Sequence, residues 1–195
     1  MRGVFSIILV IFFAACSVKK LEPLKLYTLN IPKVQKVLNS PYKNKTLKVV
    51  YPLSIGVNLG YKISYLYLKD GDGGYYVNSQ FKETLSYQLT RILLDTLSQS
   101  GLFKSVVPYD SDIIEDLRLE STVFRVEHQV REDNSSYAVV DIEFRLVDME
   151  SREILKSKRF RYTKECKTTD AKGFIEALNE IFEELSQDLI DWLRR

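Results

Sequence analysis

Hydrophobic positions along this chain follow two rhythms. From Ser79 to Ser100, Phe81, Leu85, Leu89, Ile92, Leu93 and Leu97 recur at helical spacing, with Lys82, Gln88, Arg91 and Asp95 falling elsewhere. That period predicts an amphipathic helix, started by Ser79 accepting a bond from a first-turn amide and ended by Gly101 in the left-handed conformation. The rhythm returns near the end of the chain. A helix starting at Thr169 or Asp170 carries Phe174, Leu178, Ile181, Phe182, Leu185, Leu189, Trp192 and Leu193 on one stripe, opposed by Glu176, Glu180, Glu183, Glu184, Asp188 and Asp191. Arg194 and Arg195 suit the negative pole of its dipole.

Elsewhere the period is two. Thr46 to Tyr51 is β-branched and aromatic and is stopped by Pro52. Tyr61 to Leu68, the turn residues Asp70-Gly71-Asp72-Gly73-Gly74, and Tyr75-Tyr76-Val77 read as a hairpin. Leu102 to Val107 reads as a short strand ended by Pro108. Leu117, Leu119 and Val123 share one parity, whereas Phe124, Val126 and Val130 share the other, which places a bulge near Phe124. Val140, Ile142, Phe144 and Leu146 alternate with Asp141, Glu143 and Arg145. After a turn over Asp148 to Arg152, Glu153 to Lys164 returns with Phe160 and Tyr162 inward. The fold class expected is α+β: a two-layer domain whose mostly antiparallel sheet is packed by two long amphipathic helices.

The first residues belong to a different pattern. A cationic Met1-Arg2-Gly3 precedes the apolar stretch Val4 to Ala15, which at twelve residues is short of the ~20 that a membrane-spanning helix needs. Ala14-Ala15-Cys16 then resembles the lipobox of bacterial lipoproteins, in which the cysteine is acylated. Phe13 departs from the usual aliphatic residue, but it spoils an ordinary secretory cleavage site more. The expected organisation is a signal peptide over 1–15, a lipidated Cys16 with a proline-interrupted, lysine-rich tether over 16–45, and a single domain over 46–195. Within the tether, Lys25 to Leu29 has strand chemistry and is a candidate to dock on the domain.

Composition narrows the classes. With 45% hydrophobic residues, 28% charged residues and a net charge of +2, the chain reads as globular and offers no basic bias towards nucleic acid. Besides Cys16 the sole cysteine is Cys166, read as a small buried hydrophobe, with a nucleophile or an interchain bond as alternatives. His128 is the only histidine. A Cys166/His128 pair across the sheet lacks a third, orienting residue, and one His with one Cys makes no zinc site. No catalytic, metal or cofactor site is expected. Asp70 to Gly73 resembles part of a calcium loop, but Leu68 and Ser79 stand where its first and last carboxylates belong, so a surface turn is the simpler reading. Lys156, Lys158, Arg159, Arg161 and Lys164 either guard a sheet edge or meet a partner. The acidic helix face is read as solvated. Tyr61, Tyr65, Tyr67, Tyr75 and Tyr76 either pack the sheet or form a contact surface.

These elements, in this order, resemble the ABC-type transport auxiliary lipoproteins, the PqiC-like family that accompanies bacterial MCE lipid-transport systems. The resemblance is carried by Cys16, Tyr27-Thr28-Leu29, Leu47-Lys48-Val49 through Pro52, Ile63-Ser64-Tyr65, Ser100 to Val106, Val139 to Asp148, and the terminal helix ending near Trp192. It implies a non-enzymatic, homo-oligomeric component, lipid-anchored on the periplasmic side of the outer membrane and partnered by an MCE-type protein of an ABC transport system. The competing readings are a generic envelope scaffold or assembly factor for a secretion, pilus or cell-wall machine, and a hydrolase using Cys166.

Overall fold

A computed structural model describes residues 23–195. The expected signal peptide, Cys16 and the first residues of the expected tether lie outside the described residues. Among the described residues there are nine strands and two helices: β1 (Lys25–Tyr27), β2 (Thr46–Val49), β3 (Leu53–Ser54), β4 (Lys62–Tyr67), β5 (Gly73–Phe81), α1 (Leu85–Ser100), β6 (Ser105–Pro108), β7 (Leu117–Val130), β8 (Ser136–Asp148), β9 (Ile154–Glu165) and α2 (Ala171–Arg194).

All nine strands join one mixed sheet organised around β7. Along one side β7 pairs antiparallel with β8, and β8 with β9. Along its other side β7 takes β2, β3 and β4 in succession, each parallel to it. β6 extends the sheet from β2, while β5 and then β1 extend it from β4. The sheet is therefore mixed: its longest ladders, β7–β8 and β8–β9, are antiparallel as the sequence suggested, while the short strands beside β7 join in parallel. Alternation reports which face of a strand is buried, but not which distant segment lies beside it.

The parity change in β7 is a bulge. Its register with β8 slips between Val123 and Arg125, leaving Phe124 as the extra residue. Leu117, Leu119 and Val123 before the slip, and Val126, His128 and Val130 after it, all stay in the core. Leu117, Leu119, Val123 and Val126 join Val140, Ile142, Phe144 and Leu146 of β8 and the apolar stripe of α2 in one cluster. α2 lies against β8 and β9, its Trp192 ring edge-on to Phe160 at 6.1 Å. Asp170 caps it by accepting from the Gly173 amide at 2.8 Å. Gly173 is required there, since a Cβ would overlap the carbonyl of Thr168.

The first helix begins later than its period suggested. Ser79 does not cap it: Ser79, Gln80 and Phe81 complete β5 and pair with Lys25, Leu26 and Tyr27 of β1. Phe81 is buried and in helical step with Leu85, but its amide bonds the Tyr61 carbonyl, so tertiary pairing overrides local periodicity. Thr84 is the cap, and Gly101 takes the left-handed φ of 69° at the other end. Gln88, polar by pattern, is fully buried because its Oε1 accepts from the Leu29 amide at 2.6 Å. Leu29 is itself in the core, and Val34, Val37 and Tyr42 pack against it, so the described part of residues 16–45 lies on the domain. Among the described residues no helix is long and apolar enough to cross a membrane.

Candidate functional site

The hairpin tyrosines gather where β4, β5 and β7 meet. Tyr65 lies edge-on to Tyr67 at 5.5 Å and to Tyr76 at 5.3 Å. Beneath them the Tyr76 hydroxyl is 2.7 Å from Nδ1 of His128, whose ring stacks on Phe174 of α2 at 5.4 Å. His128 is wholly buried, and its Nε2 has no partner among the described residues. Burial drives its pKa down to about 4, because an imidazolium here would lose its hydration, so the ring is neutral near pH 7. The Tyr76 phenol is pushed up, chiefly by the same desolvation. Tyr61 and Tyr75 remain exposed, the latter beneath the Lys62 ammonium at 5.0 Å.

Cys166 is not hydrogen-bonded to His128 among the described residues. His128 stands opposite Ala138 on β8, whereas the Cys166 amide bonds the Ser136 carbonyl two residues further along. Burial raises the Cys166 thiol, which disfavours the nucleophilic thiolate. The Asp70–Gly73 stretch is the tight turn of the hairpin, closed by bonds from the Tyr67 amide to the Asp72 carbonyl and from the Gly71 amide to the Tyr67 carbonyl.

The basic strand β9 pairs only with β8 and is an edge of the sheet, but its charges are largely engaged within the chain. Lys156 donates to the carbonyls of Trp192 and Leu193 at the negative end of α2. Lys164 reaches Glu180 and Glu184 on the acidic helix face at 3.5 and 3.9 Å. Arg159 grips Asp141 with two hydrogen bonds and lies 3.7 Å over the Phe124 ring at the bulge. Its bonds hold the Asp141 carboxyl below the usual carboxylate range. A comparable cluster ties β2 to β7: burial alone would raise Glu115, but Lys48 and Arg118 outweigh it and hold it at about 2.

One feature went unread in the sequence. An open groove of about 540 Å³ lies between α1 and the strand-end segments facing it. Tyr87, Arg91, Leu94, Asp95 and Ser98 line it from the helix, and Tyr51, Val106, Pro108, Tyr109 and Asp110 from the facing side. Tyr51 and Tyr109 meet at 4.4 Å with 65° between their planes. The signal was faint, because the tyrosines come from three separated segments; only Tyr87, Arg91 and Asp95, four residues apart on the polar side of a helix, hinted at it.

No curated protein sequence matches this chain. Among solved structures, protein XCC0632 from Xanthomonas campestris superposes with a TM-score of 0.76 at 16% identity, covering 87% of this chain and 95% of that one. A single-substitution variant of PelC from Paraburkholderia phytofirmans, a dodecamer, reaches 0.50 at 14% identity, covering 80% of this chain and 92% of that one. At such identities these likenesses establish the fold. The model of the ABC-type transport auxiliary lipoprotein component matches residues 64–189, from inside β4 to inside α2. That stretch takes in nearly all of the hairpin, α1, the long β7–β9 meander and most of α2, and the chain belongs to the ABC-type transport auxiliary lipoprotein family.

Proposed function

We propose that this protein is a non-catalytic accessory component of an MCE-type ABC lipid-transport system, held by a lipidated Cys16 on the periplasmic side of the outer membrane. The observation that carries the reading is the family match across most of the domain, together with the Ala14-Ala15-Cys16 sequence that precedes it. In this reading residues 1–15 are removed on export and the acylated Cys16 supplies the membrane attachment. Several acyl chains on one residue hold firmly where a single chain binds only reversibly. A non-catalytic role accords with the chemistry of the interior: the sole histidine is sealed and neutral, and the buried thiol is held protonated.

Membrane attachment also concentrates identical domains on one surface, so weak lateral contacts suffice to assemble a homo-oligomer. The dodecameric state of PelC, which shares this fold, supports assembly of copies in the same manner.

Two experiments test the proposal. Radiolabelled palmitate should appear on the wild-type protein and be absent from Cys16→Ser, which should be unanchored or unprocessed; label on the variant would defeat the anchor assignment. Purification of the native protein from gently solubilised membranes should recover an MCE-type protein with its permease and ATPase. Recovery of a secretion, pilus or cell-wall machine instead would replace the transport role with that of an envelope scaffold.

A further inference from the structure

The groove along α1 has a chemistry that neither the anchor nor the family assignment uses. Its helical wall presents an aromatic ring, a cation and an anion in order: Tyr87, Arg91 and Asp95, each one turn apart. Residues at this spacing have Cβ atoms about 5–6 Å from one another. Arg91 spends one Nη2 hydrogen on the Leu29 carbonyl at 3.0 Å, and its Nε is buried and has no partner among the described residues. Neither it nor Asp95 enters an ion pair among the described residues. Opposite them, the Tyr51 and Tyr109 rings form two walls of a corner, with Asp110 beside it. The three tyrosines are between 36% and 47% exposed, so ring surface remains open to a ligand. Burial, then Tyr109, Tyr87 and Asp110, raise the Tyr51 phenol.

Aromatic faces attract ammonium groups through the ring quadrupole, and carboxylates beside them add to that attraction. A lone anion would meet Asp95 and Asp110, and a lone cation would meet Arg91. A group bearing both charges can meet Arg91 with its anionic end and the aromatic corner and Asp110 with its cationic end. We propose that this groove binds a zwitterionic phosphoalkylammonium group of the phosphoethanolamine or phosphocholine type, with phosphate at Arg91 and ammonium in the corner of Tyr51, Tyr109 and Asp110. The two-carbon bridge of such a group separates its charges, whereas an α-amino acid holds both on one carbon. The source is either a phospholipid headgroup or a soluble phosphoester; the site would stand whichever transport machine the protein serves.

The test is isothermal titration of the full-length protein in maltoside micelles with phosphocholine and phosphoethanolamine. Tetramethylammonium and glycerol phosphate supply each charge alone. Saturable binding of at least one zwitterion, tenfold or more tighter than either half, is expected. Tyr109→Ala and Asp110→Asn should each weaken it about tenfold with melting temperature unchanged. Dihexanoyl phosphatidylcholine below its micelle concentration distinguishes the source: tighter binding than phosphocholine indicates a lipid headgroup, and equal binding a soluble phosphoester. Absence of saturable heat with both zwitterions, equal binding of either half, or indifference to both substitutions would overturn the assignment.

Discussion

Two tyrosine clusters on the same domain have opposite chemistry. Around His128, Tyr65 and Tyr76 are partly withdrawn from water and lean on one another and on a neutral ring. In the groove, Tyr51, Tyr87 and Tyr109 keep their rings half in solvent, with Arg91, Asp95 and Asp110 among them. The first cluster is built into the core at the junction of three strands and α2. The second is assembled from side chains that the fold can spare. The difference teaches where change is tolerated: removing a group from the closed cluster leaves an unpaired polar atom or a void, whereas the open cluster exchanges it for water.

The sharpest way to break the contrast is Phe174→Ala, which empties the space against the His128 ring and should cost about 3–5 kcal/mol in denaturant unfolding. If groove ligand binding survives in that variant, the two sites are energetically separate. Next in size is acid. His128 has a folded pKa of about 4 against 6.5 unfolded, so the unfolded chain binds more protons between those values. Stability should therefore be full above pH 6.5 and fall as pH drops to 4, by roughly 3 kcal/mol from this residue. Glu115, held at about 2, adds a further loss below its unfolded value of 4.5. His128→Leu should flatten the pH 6.5 to 4 limb of the stability profile, and an unchanged slope would show that another group carries it. Smaller is Tyr76→Phe, which strips Nδ1 of its partner and should cost about 1–3 kcal/mol without moving the groove's affinity. Smallest in stability is Tyr109→Ala, within about 0.5 kcal/mol of wild type in thermal melts.

Much of this architecture was readable in the order of residues alone. The parity change at Phe124, the hairpin around Asp70–Gly73, the inward set on β8 and the stripe of α2 all follow from local periodicity and turn chemistry. What failed is what depends on distant partners. The Ser79–Phe81 segment sat on a helical period but was claimed by β1, and Gln88 sat on a polar period but was claimed by the Leu29 amide. The same limit hid both clusters. His128 and Tyr76 are 52 residues apart, and nothing in the spacing of either announced their contact. The groove was harder still, since its aromatic corner joins the residue just before Pro52 to the residue just after Pro108.

The placement of β7 carries one more consequence, for how the molecule reaches its native state. β2, β3 and β4 all dock on a strand that begins only at Leu117, so the early part of the chain holds unfinished edges until residues 117–130 become available. Closing so many distant pairings at once is slow, because loop entropy must be overcome before the contacts reward it. A polypeptide delivered amino end first therefore cannot complete its sheet early, and a fragment ending before β7 would leave β3 with no ladder and the β2–β6 and β1–β5–β4 pieces unjoined.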